Sequence, residues 1–308
     1  MKKITFFIVL LFIASSKLFA QQDPIFTEPY ANPIFMNPAF AGTGNDQRIG
    51  LDFHDQLLPY GYGYTVYNAY FDRSIIDSNV GIGILANQAI MGGWPLYATN
   101  VSAMFDYQFH IESFTLSIGL QGSYINQHYQ NYYFMFPGEN PDEIMPENTF
   151  NKSTADFSAG LLGYGKNYFV GLALDHFNQS NGFYFNPMKF LFNGGAIIHT
   201  GLFTIFPTLL YQYQSYVHTG MLECYASRGH LTGGLGLLYQ ASLYNPNYAG
   251  AIFTLGFQSK YVRIGYSYNH YFSADISQTG THEASLAVLL PYKSSRLKKT
   301  TGINIPHF

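Results

Sequence analysis

The feature that most constrains this chain is a period-two alternation that recurs along almost its whole length, with no apolar run beyond the amino terminus long enough to span a bilayer as a helix. Ile49, Leu51 and Phe53 alternate with Arg48, Gly50, Asp52 and His54; Val101, Ala103, Phe105, Tyr107 and Phe109 alternate with Asn100, Ser102, Met104, Asp106 and Gln108. The same rhythm returns in Phe114–Gln121 and Val262–Asn269. Successive side chains of a strand face opposite sides, so each segment presents one apolar and one polar or small face. A helical membrane protein needs about twenty continuous apolar residues, which the alternation denies.

Composition sharpens the choice between a soluble sandwich and a membrane barrel. Charged residues are 11% of the chain and aromatic residues 18%, against roughly a quarter charged in ordinary soluble domains. Low charge, abundant Tyr and Phe and alternating faces predict an all-β, transmembrane antiparallel β-barrel of about 14 strands. The strands are expected to begin near residues 47, 64, 79, 96, 113, 155, 167, 189, 203, 220, 231, 249, 261 and 282. Pro207 is expected to mark a strand end or bulge.

Four regions follow. Residues 1–20 read as a cleaved export signal: Lys2 and Lys3 precede the apolar run Ile4–Ala14, and Leu18-Phe19-Ala20 offers a cleavage site. Residues 21–46, rich in Pro, Asn and aromatics, are a plug or docking segment in which proline is expected to forbid regular helix or strand. Residues 47–292 form the barrel, and 293–308 a basic periplasmic tail holding Lys293, Arg296, Lys298 and Lys299. Loss of the signal removes three of fifteen Lys+Arg and no acid, leaving a formal charge of −6. That balance argues against nucleic acid as a partner. The single Cys224 excludes an intramolecular disulfide and reads as a core or lipid-facing residue.

With both termini in the periplasm, the connections sort by length. Short turns are expected at Ser74–Asp77, Ile111–Glu112, Gly165–Lys166, Thr200–Gly201, Ser227–His230 and Ser259–Lys260, on the periplasmic side. The longer connections Asn131–Thr154, Asn178–Met188, Ala241–Tyr248 and Tyr271–Thr281 fall outside, as outer-membrane barrels arrange them. Arg73, Lys166, Arg228 and Lys260 lie at or beside the short turns.

The opening stretch Asp23-Pro-Ile-Phe-Thr-Glu-Pro-Tyr-Ala-Asn-Pro-Ile-Phe-Met-Asn-Pro-Ala-Phe-Ala-Gly-Thr43 resembles the start of the PorP/SprF family, outer-membrane proteins of the type IX secretion system of Bacteroidota. Arg48–Gln56, Ala155–Tyr164, Asn167–His176 and Thr279–Leu286 are similar to further blocks of that family. The resemblance implies an accessory in export or surface attachment of gliding or adhesin-type cargo bearing C-terminal sorting domains, with periplasmic type IX components as further partners. Outer-membrane lipid is the remaining partner, and neither cofactor nor metal is expected. Asn37-Pro38-Ala39 also matches a triplet in the N-terminal hatch of long-chain fatty-acid transporters, so a channel for hydrophobic small molecules is the competing reading.

Enzyme chemistry is not expected, because no Gly-x-Ser-x-Gly elbow is present and His54, His176 and His282 lack metal-ligand spacing. Three groups of candidate residues stand out. Asn32, Pro33, Asn37, Pro38, Ala39, Phe40 and Gly42 belong to the N-terminal motif, as a plug or a partner-docking site. Glu139, Asp142, Glu143 and Glu147 crowd one outer loop and are candidates for holding a protein partner. Arg48, Asp52, His54, Asp106, Asp175 and Arg263 fall on the non-apolar strand faces and are expected to line a polar lumen. Tyr107, Phe109, Tyr168, Tyr266 and Tyr268 read as interfacial aromatic girdles.

Overall fold

The computed structural model describes residues 23–44, 46–56, 63–75, 78–91, 96–129, 150–178, 187–242, 247–272 and 280–291. Fourteen antiparallel strands close into a barrel. They are β1 Gln47–Gln56, β2 Tyr64–Ser74, β3 Val80–Met91, β4 Leu96–Ile111, β5 Phe114–Tyr129, β6 Phe150–Tyr164 and β7 Tyr168–Asp175. β8 Lys189–Ala196 resumes after Ile197 as Ile198–His199; then come β9 Thr204–Gln214, β10 Val217–Arg228, β11 Leu231–Ser242, β12 Tyr248–Gln258, β13 Val262–Tyr271 and β14 Gly280–Leu290. Each strand pairs with its sequence neighbours, and β14 closes on β1 from Gln47↔Leu290 to Gln56↔Thr281. Closure leaves no strand edge to meet lipid, the condition for β-structure to span a bilayer.

The alternation sets the register. Ile49, Leu51, Phe53, Val101, Phe105, Leu120, Val170, Leu235 and Leu255 stand on the outer face and are exposed. So are Tyr107, Phe109, Tyr168 and Tyr266, and Cys224 is exposed with them. The outward residues of β1 to β14 carry no Asp, Glu, Lys or Arg among the described residues except Asp55, Arg73 and Arg228, all near strand ends. A cation at the lipid-facing midplane would cost about 2–4 kcal/mol.

One end of the barrel carries connections of two to five residues and the other carries the long ones. Three connections at the long-loop end are nevertheless short: 92–95, 243–247 and the two-residue turn Ser215–Tyr216, whose φ angles of +52° and +64° are those of a tight hairpin.

Four expectations need correction. β6 begins at Phe150 rather than near 155, and β10 at Val217 rather than near 220. Pro207 neither ends nor bulges its strand; it lies inside β9, paired with Cys224 of β10. The interruption falls on its other neighbour, β8, where the ladder lapses between Gly195↔Thr208 and Ile198↔Ile205. Proline has no N–H to offer there, and the Ile197 amide bonds instead to the Asn167 carbonyl at 2.7 Å. Proline also does not exclude helix from the N-terminal segment. Pro33–Met36 is one helical turn (α1) and Pro38–Phe40 a 3-10 turn, each with proline at the first position, where its missing N–H costs nothing.

The fourth correction concerns the lumen, which is not uniformly polar. Near the short-turn end, Leu162, Tyr164, Phe169, Phe206, Leu210, Met221 and Tyr225 point inward and pack against Tyr30, Ile34, Ala39 and Phe40 of the N-terminal segment in an apolar core. Tyr30 meets Phe169 and Phe206 edge-on, with centroids at 5.6 and 5.5 Å. Inward-facing apolar side chains become favourable once a second piece of chain covers them.

Candidate functional site

The candidate site is the segment of residues 23–44 together with the inner wall it touches. The chain leaves the short-turn end at β1 and, read backwards from there, climbs through the lumen towards the long-loop end.

Its lowest part is fitted into the wall through missing side chains. A methyl group at Gly119 of β5 would strike the backbone of Pro38 and Ala39, and one at Gly81 of β3 the carbonyl of Ala41. One at Gly160 of β6 would strike Asn37 Oδ1. These glycines permit backbone-to-backbone approach. Asn37 completes the seat: its Oδ1 accepts from the Ala39 amide at 2.9 Å, and its Nδ2 donates to the carbonyls of Leu161 and Leu172 at 3.1 Å each. Ser117 Oγ donates to the Ala39 carbonyl at 2.8 Å and also contacts Asp106, which accepts from Gln108 Nε2 at 3.0 Å. Where the segment turns into β1, the Gly42 amide donates to Asp72 at 2.9 Å. Arg48 binds the same carboxylate through Nε and Nη2, both at 2.7 Å. Gly42 itself has φ +67° and lies against the Arg73 carbonyl and Gly81.

The middle part is held by carboxylates. Glu283 of β14 accepts from the amides of Thr27 and Glu28, at 2.7 and 2.9 Å, and meets His54 Nδ1 at 2.7 Å. Asn32 Nδ2 donates to Asp52 at 2.7 Å, and Tyr70 Oη to the Ala31 carbonyl at 2.6 Å. Ser285 Oγ donates to Glu28 at 2.6 Å.

The upper part ends in an ion-pair cluster. Asp23 Oδ2 lies 2.7 Å from Lys189 Nζ and 2.9 Å from His176 Nε2. His176 also meets Asp156 at 2.9 Å, and Lys189 meets Asp175 at 3.0 Å. The Asp23 amide donates to Gln214 Oε1 at 2.8 Å.

Of the residues singled out from sequence, Asn32, Pro33, Asn37, Pro38, Ala39, Phe40 and Gly42 are all buried inside the barrel. Arg48, Asp52, His54, Asp106, Asp175 and Arg263 face inward and are buried. The structure joins Arg48 to Gly42, Asp52 to Asn32 and Asp175 to the Asp23 cluster, while Arg263 touches none of the segment residues among the contacts described. Glu139, Asp142, Glu143 and Glu147 lie outside the described residues. Sequence reading missed Asp23, Glu28, Asp72, Asp156, Lys189 and Glu283 as partners. The inward register of their strands was a usable signal for the wall residues; nothing local distinguished Asp23 or Glu28. No group of three or more His, Cys, Asp or Glu suited to a metal occurs among the described residues.

No curated protein matches the chain in sequence. Among solved structures, the P. putida toluene transporter TodX is similar with a TM-score of 0.51 at 9% identity, over 85% of this chain and 94% of that one. A deltaS2S3 mutant of TodX, described as a monoaromatic hydrocarbon channel, gives 0.55 at 10% identity, over 84% and 94%. At such identities the likeness shows the fold alone, an outer-membrane-type barrel. Residues 18–288 match the family described as type IX secretion system membrane protein PorP/SprF. That match spans the segment and nearly all of the barrel it threads, so the chain belongs to the PorP/SprF family of type IX secretion system membrane proteins and is an outer-membrane β-barrel.

Proposed function

We propose that this barrel is a non-enzymatic accessory that docks other proteins at its two ends, aiding export or surface attachment of cargo with C-terminal sorting domains, and is not an open conduit. The observation that supports this reading is the bonding of the N-terminal segment to the inner wall. Residues 23–44 are bonded to the wall along their length, and among the described residues two cavities beside them measure about 20 and 100 Å³. The smaller lies among Phe26, Phe35, Leu191 and Leu210 under the segment. A space of that size holds about one water, far short of the several hundred Å³ of a ligand site. With the interior occupied, the surfaces left for partners are the long loops on the external side and the short-turn face towards the periplasmic machinery. The loop acids Glu139, Asp142, Glu143 and Glu147 belong to the first of these faces.

Gene deletion tests the reading. The expected result is that one or a few proteins with sorting domains disappear from the cell surface and the medium while uptake of toluene or a long-chain fatty acid is unchanged. Unchanged export with reduced uptake of the apolar solute would replace the docking reading with the hydrophobic channel.

A further inference from the structure

The N-terminal segment does not stay at the end of the barrel where β1 begins. At Gly42 it lies beside Asp72 and Arg48, at the short-turn end. At Thr27 it has risen to Glu283, near the long-loop end of β14. At Asp23 its partners are Lys189, the first residue of β8, Gln214, the last of β9, and His176, the residue after β7. All three sit where the chain passes into or out of the long-loop end. The carboxyl end of the barrel leaves β14 at Leu290, at the opposite, short-turn end. The even strand number places the two ends of the barrel wall on one side, but the segment carries the chain back across the full height of the lumen.

We propose that the chain enters the lumen at the long-loop end, at Asp23, and leaves the barrel wall at the short-turn end, at Leu290, so that these two points face opposite sides of the membrane, and that the Asp23 cluster is the latch holding this strap in place. On this reading the expectation of a periplasmic start to the barrel holds for Gln47 and Leu290 but not for Asp23. The latch differs in kind from the seat below it. Here one carboxylate of the segment meets two wall cations that Asp156 and Asp175 also hold, whereas the Asn37–Gly42 part combines packing against glycines with hydrogen bonds. A cavity of about 100 Å³ adjoins the latch, lined by Asn87, Asn100, Gln121, Gln127 and Gln214. The cavity is lined by Leu85, Met91 and Ile125 as well, so the upper strap has space of mixed polarity beside it once Asp23 lets go.

The test uses the full-length protein in intact cells, with an epitope inserted between Gln22 and Asp23, a second variant tagged within residues 130–149 and a third tagged at the carboxyl terminus. The expected result is that the first two stain together on intact cells and the third only after the outer membrane is opened. An amino-terminal tag that stains with the carboxyl-terminal one overturns the proposal. If loop and amino-terminal tags are both hidden while the carboxyl-terminal tag stains, the strap stands and the outward orientation assumed under the proposed function fails. Should the insertion prevent folding, Q22C in a C224S background, probed with a membrane-impermeant maleimide, reads the same side. Asp23→Ala then tests the latch. It is expected to raise external proteolysis of the upper strap at least fivefold while residues 37–42 stay protected; an unchanged rate overturns the latch.

Discussion

The two halves of the threaded segment are held by different physics. From Asn37 to Gly42 the chain is pressed backbone to backbone onto Gly81 and Gly119 and sets the Asn37 side chain on Gly160, with Asn37 and Ser117 supplying directional bonds. From Asp23 to Asn32 it is held by Asp23, Glu28, Asp52 and Glu283 and their partners. Close packing feels the addition of even one methylene, whereas a buried charged contact fails when one partner is removed. The lower half is thus built as a fixed seat and the upper half as a conditional hold, and the largest single dependence sits where the seat meets β1.

Asp72 serves both the Gly42 amide and Arg48, and all three groups are buried. Removing one partner of a buried ion pair costs about 3–5 kcal/mol. Asp72→Ala is expected to shift the urea midpoint of the folded barrel strongly downward and to free residues 23–44 for proteolysis. An intact, protected segment in that variant would show that the seat does not depend on this junction.

Packing alone comes next. Gly119→Val places a branched side chain on the backbone of Ala39, and overpacking of this kind costs about 1–3 kcal/mol. Gly122→Val, three residues along β5, faces outward near Phe157 and is expected to leave the segment protected. Equal behaviour of the two variants in limited proteolysis would remove the distinction between a glycine seat and ordinary strand glycines. Asn37→Ala is smaller again. It removes the cap of the 3-10 turn and two wall bonds, with capping losses of about 0.5–2 kcal/mol. It should speed cleavage within residues 33–42 without changing the upper strap.

The barrel was legible because its determinants are periodic. The alternation of Val101–Phe109 against Asn100–Gln108 follows from lipid on one side only, so nearly every strand start lies within three residues of its expected place; β6 was missed by five because Phe150–Thr154 continues β5's pairing above the apolar band. The seat was half legible. Asn37-Pro38-Ala39 stood out as a motif, but Gly81, Gly119 and Gly160 look like any small residue of a strand until the chain crossing them is known. The latch was not legible at all. Asp23 and Lys189 are 166 residues apart, and no local pattern encodes a pairing across a lumen.

The smallest effect lies in the middle of the strap. Ser285 Oγ donates to Glu28, and the Thr27 and Glu28 amides donate to Glu283 beside it. Ser285→Ala removes one hydrogen bond to a buried carboxyl and no packing against the seat glycines. A single intramolecular hydrogen bond contributes about 0.5–1.5 kcal/mol net, and one to a charged group about 1.5–3 kcal/mol. Hydrogen exchange at the Thr27 and Glu28 amides is therefore expected to speed up modestly, while the Ala39 and Gly42 amides keep their protection. An equal rise at Ala39 or Gly42 would show that the two halves open as one unit, and the distinction between them would fall.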